Sequence, residues 1–267
     1  MTAATGPSAV WAYAVAECVS PERLEGLDGV GGGRVRSLAA AGLTAIVGDV
    51  PLAGFGEAAL RRNLEDLAWL EATARAHHGV IAAVAGEGPV VPMRLATVYR
   101  DDAGAAAAVA ELAADFRTTL ARTRAHKEWG VKAYAEWPGE PEDTGSDPGP
   151  AGRESAGPGA AYLSRRRQEL SAHKRARRDA VASAELIHAR LDRLADQSRL
   201  HPPQSPQLAG HRAEMILNAA YLLADDRDGD FAAAVIDLGE RHPAVRLEIT
   251  GPWPPYSFAV RQEADQP

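Results

Sequence analysis

One glycine-rich segment and two groups of possible metal ligands are the places where this sequence could carry chemistry. The segment Gly29-Val30-Gly31-Gly32-Gly33 has the glycine content of a phosphate-binding loop. Arg34, however, stands where the dinucleotide fingerprint has a glycine, and the P-loop lysine and hydroxyl are absent. We therefore interpret this segment as a flexible turn.

The metal-ligand candidates are equally incomplete. His188 and Asp192 are four residues apart on a predicted helix and could face one metal ion, but two ligands do not make a site. Three aspartates look like the start of a calcium loop: Asp226, Asp228 and Asp230. Phe231 then occupies the position of the required glycine and Asp237 that of the glutamate, so capping of the next helix is the better interpretation.

The remaining reactive side chains also have simpler explanations. His77-His78 is predicted to end a helix, where imidazoles suit the helix dipole. Cys18 is the only cysteine, which excludes an internal disulfide and a cysteine-rich zinc site, and we expect it to be a small buried residue. The sequence has no nucleophile elbow and no cysteine–histidine motif around Cys18, so we name no catalytic residue, no metal ligand and no cofactor.

Composition and charge limit the class of protein. The chain has 267 residues, 46% of them hydrophobic, which is enough for a buried core and suggests two domains. A net charge of −7 argues against a general nucleic-acid binder. We see no signal peptide and no apolar run long enough to span a membrane, so we expect a cytoplasmic protein.

Hydrophobic periodicity predicts an α+β fold. Strands are predicted at 9–17, 35–40, 43–50, 80–85, 90–99, 127–137, 215–223 and 245–249, and helices at 57–78, after Asp101 and Asp102, at 160–198 and at 231–241. The segment 35–40 could also be helical. We predict two domains, 1–124 and 125–267, each a small mixed or antiparallel sheet with helices on one face.

The second predicted domain contains a loop and a long helix of contrasting charge. Eleven of the 22 residues in 138–159 are glycine or proline, which predicts a disordered loop. The first half of helix 160–198 has seven basic residues: Arg165, Arg166, Arg167, Lys174, Arg175, Arg177 and Arg178. This face is either simply solvated or a docking surface for an acidic partner or for the chain's own acidic loop.

The segment Thr250–Phe258, here called the aromatic arm, follows the last predicted strand. Three prolines and a glycine fix its path, and it has three aromatic rings, Trp253, Tyr256 and Phe258. The arm either packs its rings on its own domain or offers them to a partner. Arg94, between Met93 and Leu95 on strand 90–99, is predicted to pair with a carboxylate across the sheet.

Five segments together resemble the gas vesicle accessory proteins of the GvpL/GvpF family. They occur in the family's order: Val91-Pro92-Met93-Arg94-Leu95-Ala96-Thr97-Val98-Tyr99, Glu128-Trp129-Gly130-Val131-Lys132-Ala133-Tyr134, Gly159-Ala160-Ala161-Tyr162-Leu163, Asn218-Ala219-Ala220-Tyr221-Leu222 and the aromatic arm. The match before Val50 is weaker. The resemblance implies a two-domain α+β protein with ferredoxin-like elements. It also implies a non-enzymatic protein that is associated with gas vesicles.

The resemblance further implies partners: the small hydrophobic shell protein and other vesicle accessory proteins. We expect this chain to bind the shell subunit and to support vesicle nucleation or growth. Trp253, Tyr256, Phe258, Arg94, Arg165 and Arg166 are the candidate contact residues. Two alternatives remain open: a minor structural component of the shell and a ferredoxin-like small-molecule-binding protein. An L-like and an F-like role are not distinguished.

Overall fold

The computed structural model describes residues 6–135, 158–203 and 213–259. These residues form two sheets with helices packed on them, which confirms the predicted α+β class. The chain forms two compact units. Unit 1 contains residues 1–129, 222–226 and 251–267, and unit 2 contains residues 130–221 and 227–250. The aromatic arm from Gly251 onward therefore belongs to the unit that is built mainly from the N-terminal half.

The first sheet lies in unit 1 and has β1 near its centre. Its strands are β1 (Ser8–Ala16), β2 (Val35–Ala40), β3 (Leu43–Pro51), β4 (Val90–Pro92) and β5 (Val98–Tyr99). The order is β2-β3-β1-β4, β5 also pairs with β1, and these pairings are antiparallel. The predicted hairpin is thus present, and its first segment is a strand rather than a helix.

Helices cover both faces of this sheet, not one face as predicted. The helices of this unit are α1 (Pro21–Leu24), α2 (Leu52–Phe55), α3 (Glu57–Asn63), α4 (Leu67–Ala85), α5 (Asp102–Glu111) and α6 (Ala113–Thr123). One core joins Trp11 of β1 to Ile81 of α4, and the other joins Val15 to Phe116 of α6. The physical reason is that 9–16 contains no polar residue, so both of its faces are apolar.

Helix α4 extends past residue 78, where the predicted helix ended, and includes 80–85, which were predicted to form a strand. Asp66 caps its N-terminus by accepting hydrogen bonds from the backbone N–H of Ala68 (2.9 Å) and Trp69 (3.2 Å). The helix then continues through Gly79, which is not a C-cap, and through 80–85, which is not a strand. Residues in that last segment are buried at helical spacing: Val80, Ile81 and Val84.

A turn divides the predicted strand 90–99 into β4 and β5. In this turn the backbone N–H of Thr97 donates to the Arg94 carbonyl at 3.2 Å, and the Thr97 hydroxyl donates to the same oxygen at 2.7 Å. Asp101 caps α5 as predicted, because its carboxylate accepts from the N–H of Gly104 at 2.8 Å. Arg94 therefore lies in a turn and not on a strand.

The second sheet has the order β7-β8-β6-β9. Its strands are β6 (His126–Ala135), β7 (Gln197–Leu200), β8 (Met215–Ala224) and β9 (Val245–Trp253). In unit 2, α7 (Pro158–Asp192) buries a stripe in its second half: Ala180, Ala184, Ile187 and Leu191. Helix α8 (Asp228–Arg241) buries Phe231, Val235 and Leu238, the three residues predicted to face inward.

Two boundaries in this part of the chain differ from the predictions. Helix α7 begins at Pro158, since proline fits the first turn, and it ends at Asp192, where the prediction extended it to 198. Strand β7 occupies part of that predicted extension. The rest of the predicted loop, 138–157, and the end of predicted strand 127–137 lie outside the described residues.

Candidate partner-binding site

The aromatic arm begins inside strand β9, which runs on to Trp253 instead of ending at Ile249. Gly251 makes this path possible, since its φ is +120° and an added Cβ would lie 2.8 Å from the carbonyl oxygen of Glu128. A side chain would clash there with the backbone of β6, so only glycine fits without a shift.

A buried carboxylate holds the next part of the arm. The Glu128 side chain is 7% exposed and accepts two hydrogen bonds from Ser257, one from the backbone N–H and one from the hydroxyl, both at 2.7 Å. Ser257 lies in a single 3-10 turn, Tyr256–Phe258. Because both side-chain oxygens of Glu128 accept hydrogen bonds from Ser257, this contact fixes the turn on unit 1.

The end of the arm is anchored by Phe258. Its side chain is 3% exposed, and the guanidinium of Arg122 donates to its backbone carbonyl at 2.6 Å. In this structure Phe258 therefore offers no ring surface to a partner, although it was predicted as a contact residue. Its contribution is to hold the arm in place.

His78 on α4 links the other two rings of the arm. Its Nδ1 lies 2.8 Å from the hydroxyl of Tyr256, and its ring meets the Trp253 ring edge-on at a centroid distance of 5.0 Å. Tyr256 is half-buried, and burial raises the pKa of its hydroxyl. Trp253 remains 40% exposed. Of the three predicted aromatic contacts, Trp253 thus offers the most accessible ring.

Behind His78, a buried hydrogen-bond chain fixes α4 on the sheet. The indole N–H of Trp11 donates to Nδ1 of His77 at 3.0 Å, and Nε2 of His77 lies 3.1 Å from the carbonyl oxygen of Met93. His77 must therefore be neutral with its proton on Nε2. Burial lowers the pKa of His77 to about 4, which agrees with the neutral form of the ring.

A groove of about 550 Å³ lies beside Trp253 and is lined by residues of unit 1. Its walls are the end of α4 with the following turn, the α6–β6 connection, Asp225 and the proline-rich arm. Charges on its rim have partners within the unit: Arg124 contacts Glu17 at 2.8 Å, and Lys127 lies 3.7 Å from Asp225. The groove thus presents an aromatic ring and prolines between charges that are already paired.

The other predicted contact residues lie elsewhere. Arg94 is exposed in the β4–β5 turn, and Arg166 is exposed on α7. Arg165 is part of the same helix, but its side chain lies outside the described residues. The structure therefore brings Trp253, Tyr256 and Phe258 together on unit 1 and does not place Arg94 in the lining of the groove beside Trp253.

The candidate ligand and loop residues have structural partners. His188 Nδ1 lies 2.8 Å from the Tyr221 hydroxyl, and Asp192 accepts a hydrogen bond from Ser198. The glycine-rich loop is followed by β2, not by a helix. The backbone N–H of Val30 in that loop donates to the Tyr13 hydroxyl at 2.8 Å.

Two predictions for short polar segments can also be compared with the structure. Asp228 and Asp230 lie in the first turn of α8, but Arg227 occupies the N-cap position without a side-chain capping hydrogen bond, so the capping interpretation was wrong. The two carboxylates instead suit the positive end of the helix dipole. Cys18 is exposed rather than buried, because β1 ends two residues earlier, at Ala16.

Among the described residues no group of three histidine, cysteine or acidic side chains could hold a metal ion. No described helix is both long and apolar enough to cross a membrane.

Sequence reasoning missed the three residues that hold the arm: Arg122, Glu128 and His78. Glu128 and Ser257 are 129 residues apart, and His78 and Tyr256 are 178 apart. Local pattern carries no signal for such contacts. Glu128 does stand at the start of one segment that carried the family resemblance, and this was the one available hint.

Comparison with known proteins identifies the family that the sequence resembles. Residues 9–260 match the family model described as gas vesicle synthesis protein GvpL/GvpF. The chain is 40% identical over 260 residues to gas vesicle protein L of Streptomyces sp. (strain CB03234), covering 96% of this chain and 94% of that protein. It is 27% identical over 262 residues to gas vesicle protein F of the same strain, covering 93% and 98%.

Solved structures of gas vesicle protein GvpF share the fold. The crystal structure from Anabaena sp. PCC7120 matches with a TM-score of 0.65 at 18% identity, covering 96% of this chain and 98% of that one. The structure from Microcystis aeruginosa matches with a TM-score of 0.62 at 15% identity, covering 95% and 99%. These two structures show the fold, whereas the family model and the 40% identical relative support an accessory role in gas vesicles. The chain belongs to the GvpL/GvpF family of gas vesicle synthesis proteins.

Proposed function

We propose that this protein is a non-enzymatic gas vesicle assembly factor that binds the small hydrophobic shell subunit and supports nucleation or growth of the vesicle. The protein associates with gas vesicles through this subunit and through other accessory proteins. The observation that carries the proposal is the Trp253 ring, which is 40% exposed beside a groove of about 550 Å³ and is held by an anchored arm.

Rigid, exposed aromatic rings suit protein binding. Tryptophan offers a large contact area with only two side-chain torsions to order, and it is enriched among residues that dominate binding energy. The arm is already ordered by Glu128, Arg122 and His78. Little conformational entropy is therefore lost when a partner covers Trp253.

The chemistry of the groove fits an uncharged, apolar segment. Since a gas vesicle shell must exclude water, its subunit is expected to be strongly apolar and to aggregate before assembly. The rim charges Arg124 and Lys127 already have acidic partners within unit 1. An apolar segment of the shell subunit would cover Trp253 without breaking these pairs.

Co-expression with the shell subunit tests the proposal. The protein is purified under native conditions, and the amount of co-purified subunit is measured by mass spectrometry. Trp253→Ala removes the exposed ring, and Leu67→Ala is a matched control because Leu67 is 76% exposed on the same unit. We expect recovery to fall about tenfold or more for Trp253→Ala, as for a binding hot spot, and to be unchanged for Leu67→Ala.

Two results would argue against the proposal. One is the absence of shell subunit from the purified wild-type protein. The other is equal recovery with both variants, which would place the contact away from Trp253. Recovery of the protein in stoichiometric amount from washed vesicles would instead indicate a structural component of the shell.

A further inference from the structure

The first half of α7 exposes most of the side chains that the structure describes. Side chains between Arg166 and Asp179 that the structure describes are exposed, except for the half-buried Ala176, whereas the stripe facing the core of unit 2 begins at Ala180. At about 1.5 Å per residue, this exposed stretch is roughly 20 Å long. A helix that is polar all round gains little from its own domain and is suited to contact something else.

This stretch is positively charged, although the chain as a whole is negatively charged. It contains six basic residues against two acidic ones in a protein of net charge −7. At 100° per residue, the basic side chains fall within about half of the helix circumference. They are Arg166, Arg167, Lys174, Arg175, Arg177 and Arg178. The result is a basic face, and we use that name for these six residues.

One carboxylate already binds to the basic face. Glu214 accepts hydrogen bonds from Arg177 Nη2 at 2.7 Å and from its Nε at 3.0 Å, the paired geometry that a guanidinium makes with a carboxylate. Hydrogen bonding to Glu214 raises the pKa of Arg177. Among the described residues, we see no ion pair for Arg167, Lys174, Arg175 or Arg178. Arg167, Arg175 and Arg178 carry the same guanidinium group as Arg177, and Lys174 adds a further positive charge.

We propose that the basic face is a docking surface for an acidic polypeptide segment of a partner protein. Five of its six basic residues are arginines, whose planar forks match carboxylates. A membrane surface fits less well, because Leu170 is the only large apolar side chain of this stretch and an interfacial helix needs an apolar face. Nucleic acid fits less well too, because the stretch has no aromatic residue for stacking and the whole chain is acidic.

Binding of a defined acidic peptide to the full-length protein tests this surface. The probe is fluorescein-labelled poly-L-glutamate of about 20 residues, and fluorescence anisotropy is measured at low and at roughly sixfold higher salt. The test variant has Arg167→Ala, Arg175→Ala and Arg178→Ala. The control variant has Arg61→Ala, Arg62→Ala and Arg75→Ala, which removes the same charge from exposed helical arginines of unit 1.

We expect the test variant to bind polyglutamate about tenfold more weakly than the wild type, because each of the three exposed ion pairs contributes roughly a factor of two or more to the affinity. The affinity of the control variant should stay within about twofold of that of the wild type. Binding of the wild type should weaken as salt is raised. Circular dichroism should show unchanged helix content, since alanine is a better helix former than arginine. Equal weakening in both variants would overturn the proposal, because it would reflect net charge alone.

Two further ligands decide the class of partner. A duplex DNA of similar charge and vesicles of phosphatidylserine are measured with the same variants. The assignment to an acidic protein segment would be overturned if the wild type bound the DNA or the vesicles more tightly than polyglutamate and the test variant lost that binding. This surface lies in unit 2 and the Trp253 surface in unit 1, so failure of one proposal leaves the other testable.

Discussion

Acidification should destabilise this protein through His77, which is buried between Trp11 and the Met93 carbonyl oxygen. In the folded state Nδ1 accepts the indole N–H, so a second proton on the ring would face a donor and lose that hydrogen bond. Burial lowers the pKa of His77 from 6.5 to about 4, although the hydrogen bond to the Met93 carbonyl oxygen acts in the opposite direction. Between these pH values the unfolded state binds more protons than the folded state, and stability therefore falls as the pH falls.

The size of the effect follows from the two pKa values. With 6.5 for the unfolded imidazole and about 4 for the folded one, His77 costs about 2 kcal/mol of unfolding free energy at pH 5 and about 3 kcal/mol at pH 4, relative to neutral pH. Such a loss is a large part of the stability of an ordinary domain. Above about pH 7.5 the contribution of His77 no longer changes with pH, because the imidazole is then neutral in both states.

Urea unfolding followed by tryptophan fluorescence measures this dependence. His77→Gln keeps an amide that can donate and accept but cannot be charged at these pH values, so its stability should fall less than that of the wild type, by about 2 kcal/mol between neutral pH and pH 5. The control is His173→Gln, which replaces an exposed histidine of α7 and should retain the wild-type dependence. Equal pH dependence in the wild type and His77→Gln would refute the reasoning, because other titrating groups, such as His201, are common to both.

Three further predictions concern the arm and the cysteine. Glu128→Ala should lower the unfolding free energy by about 1–3 kcal/mol in urea titrations, since it removes the acceptor of both the backbone N–H and the hydroxyl of Ser257; a change near zero would contradict the anchoring role. Gly251→Ala should cost about 1–3 kcal/mol in the same assay, because φ is +120° and the new Cβ meets the Glu128 carbonyl oxygen; wild-type stability would show that this path is not needed. Cys18 should react with Ellman's reagent in the native protein at the rate of an exposed thiol, and a reaction that requires denaturant would disprove its exposure.

Local pattern was sufficient where a segment buries one face. Helix α8 was predicted with its inward residues because Phe231, Val235 and Leu238 repeat at helical spacing. The β2–β3 hairpin followed from two apolar runs around Ala41-Gly42. In both cases the residues that decide the structure are neighbours along the chain.

Short apolar runs misled the predictions because helix and strand look alike over six residues. The segment 80–85 continues α4, where its residues complete a helical stripe begun earlier. The predicted strand 90–99 was interrupted because Arg94 and Thr97 form a hydrogen-bonded turn. Strand β1 has no polar residues, which is consistent with burial of both of its faces. Its large side chains alternate with alanine, however, and that pattern suggested that only one face was buried.

The sequence could predict the exposed aromatic ring of the candidate site, but it could not predict the residues that hold the arm in place. Aromatic residues on a proline-rich path indicated the arm, but Trp253, Tyr256 and Phe258 looked equivalent in sequence. Their different exposures arise from contacts with Glu128 and His78, more than a hundred residues away. The arm also packs on the unit built mainly from the N-terminal half, which no local pattern indicates.

Site-specific photo-crosslinking tests most directly whether the shell subunit binds at Trp253. Benzoylphenylalanine is introduced at Trp253 and, in a control protein, at the exposed Leu67, and each protein is irradiated during co-expression with the shell subunit. The account predicts a crosslinked product containing the shell subunit from position 253 and none from position 67. Crosslinks from both positions or from neither, with both proteins folded, would contradict binding at the aromatic arm.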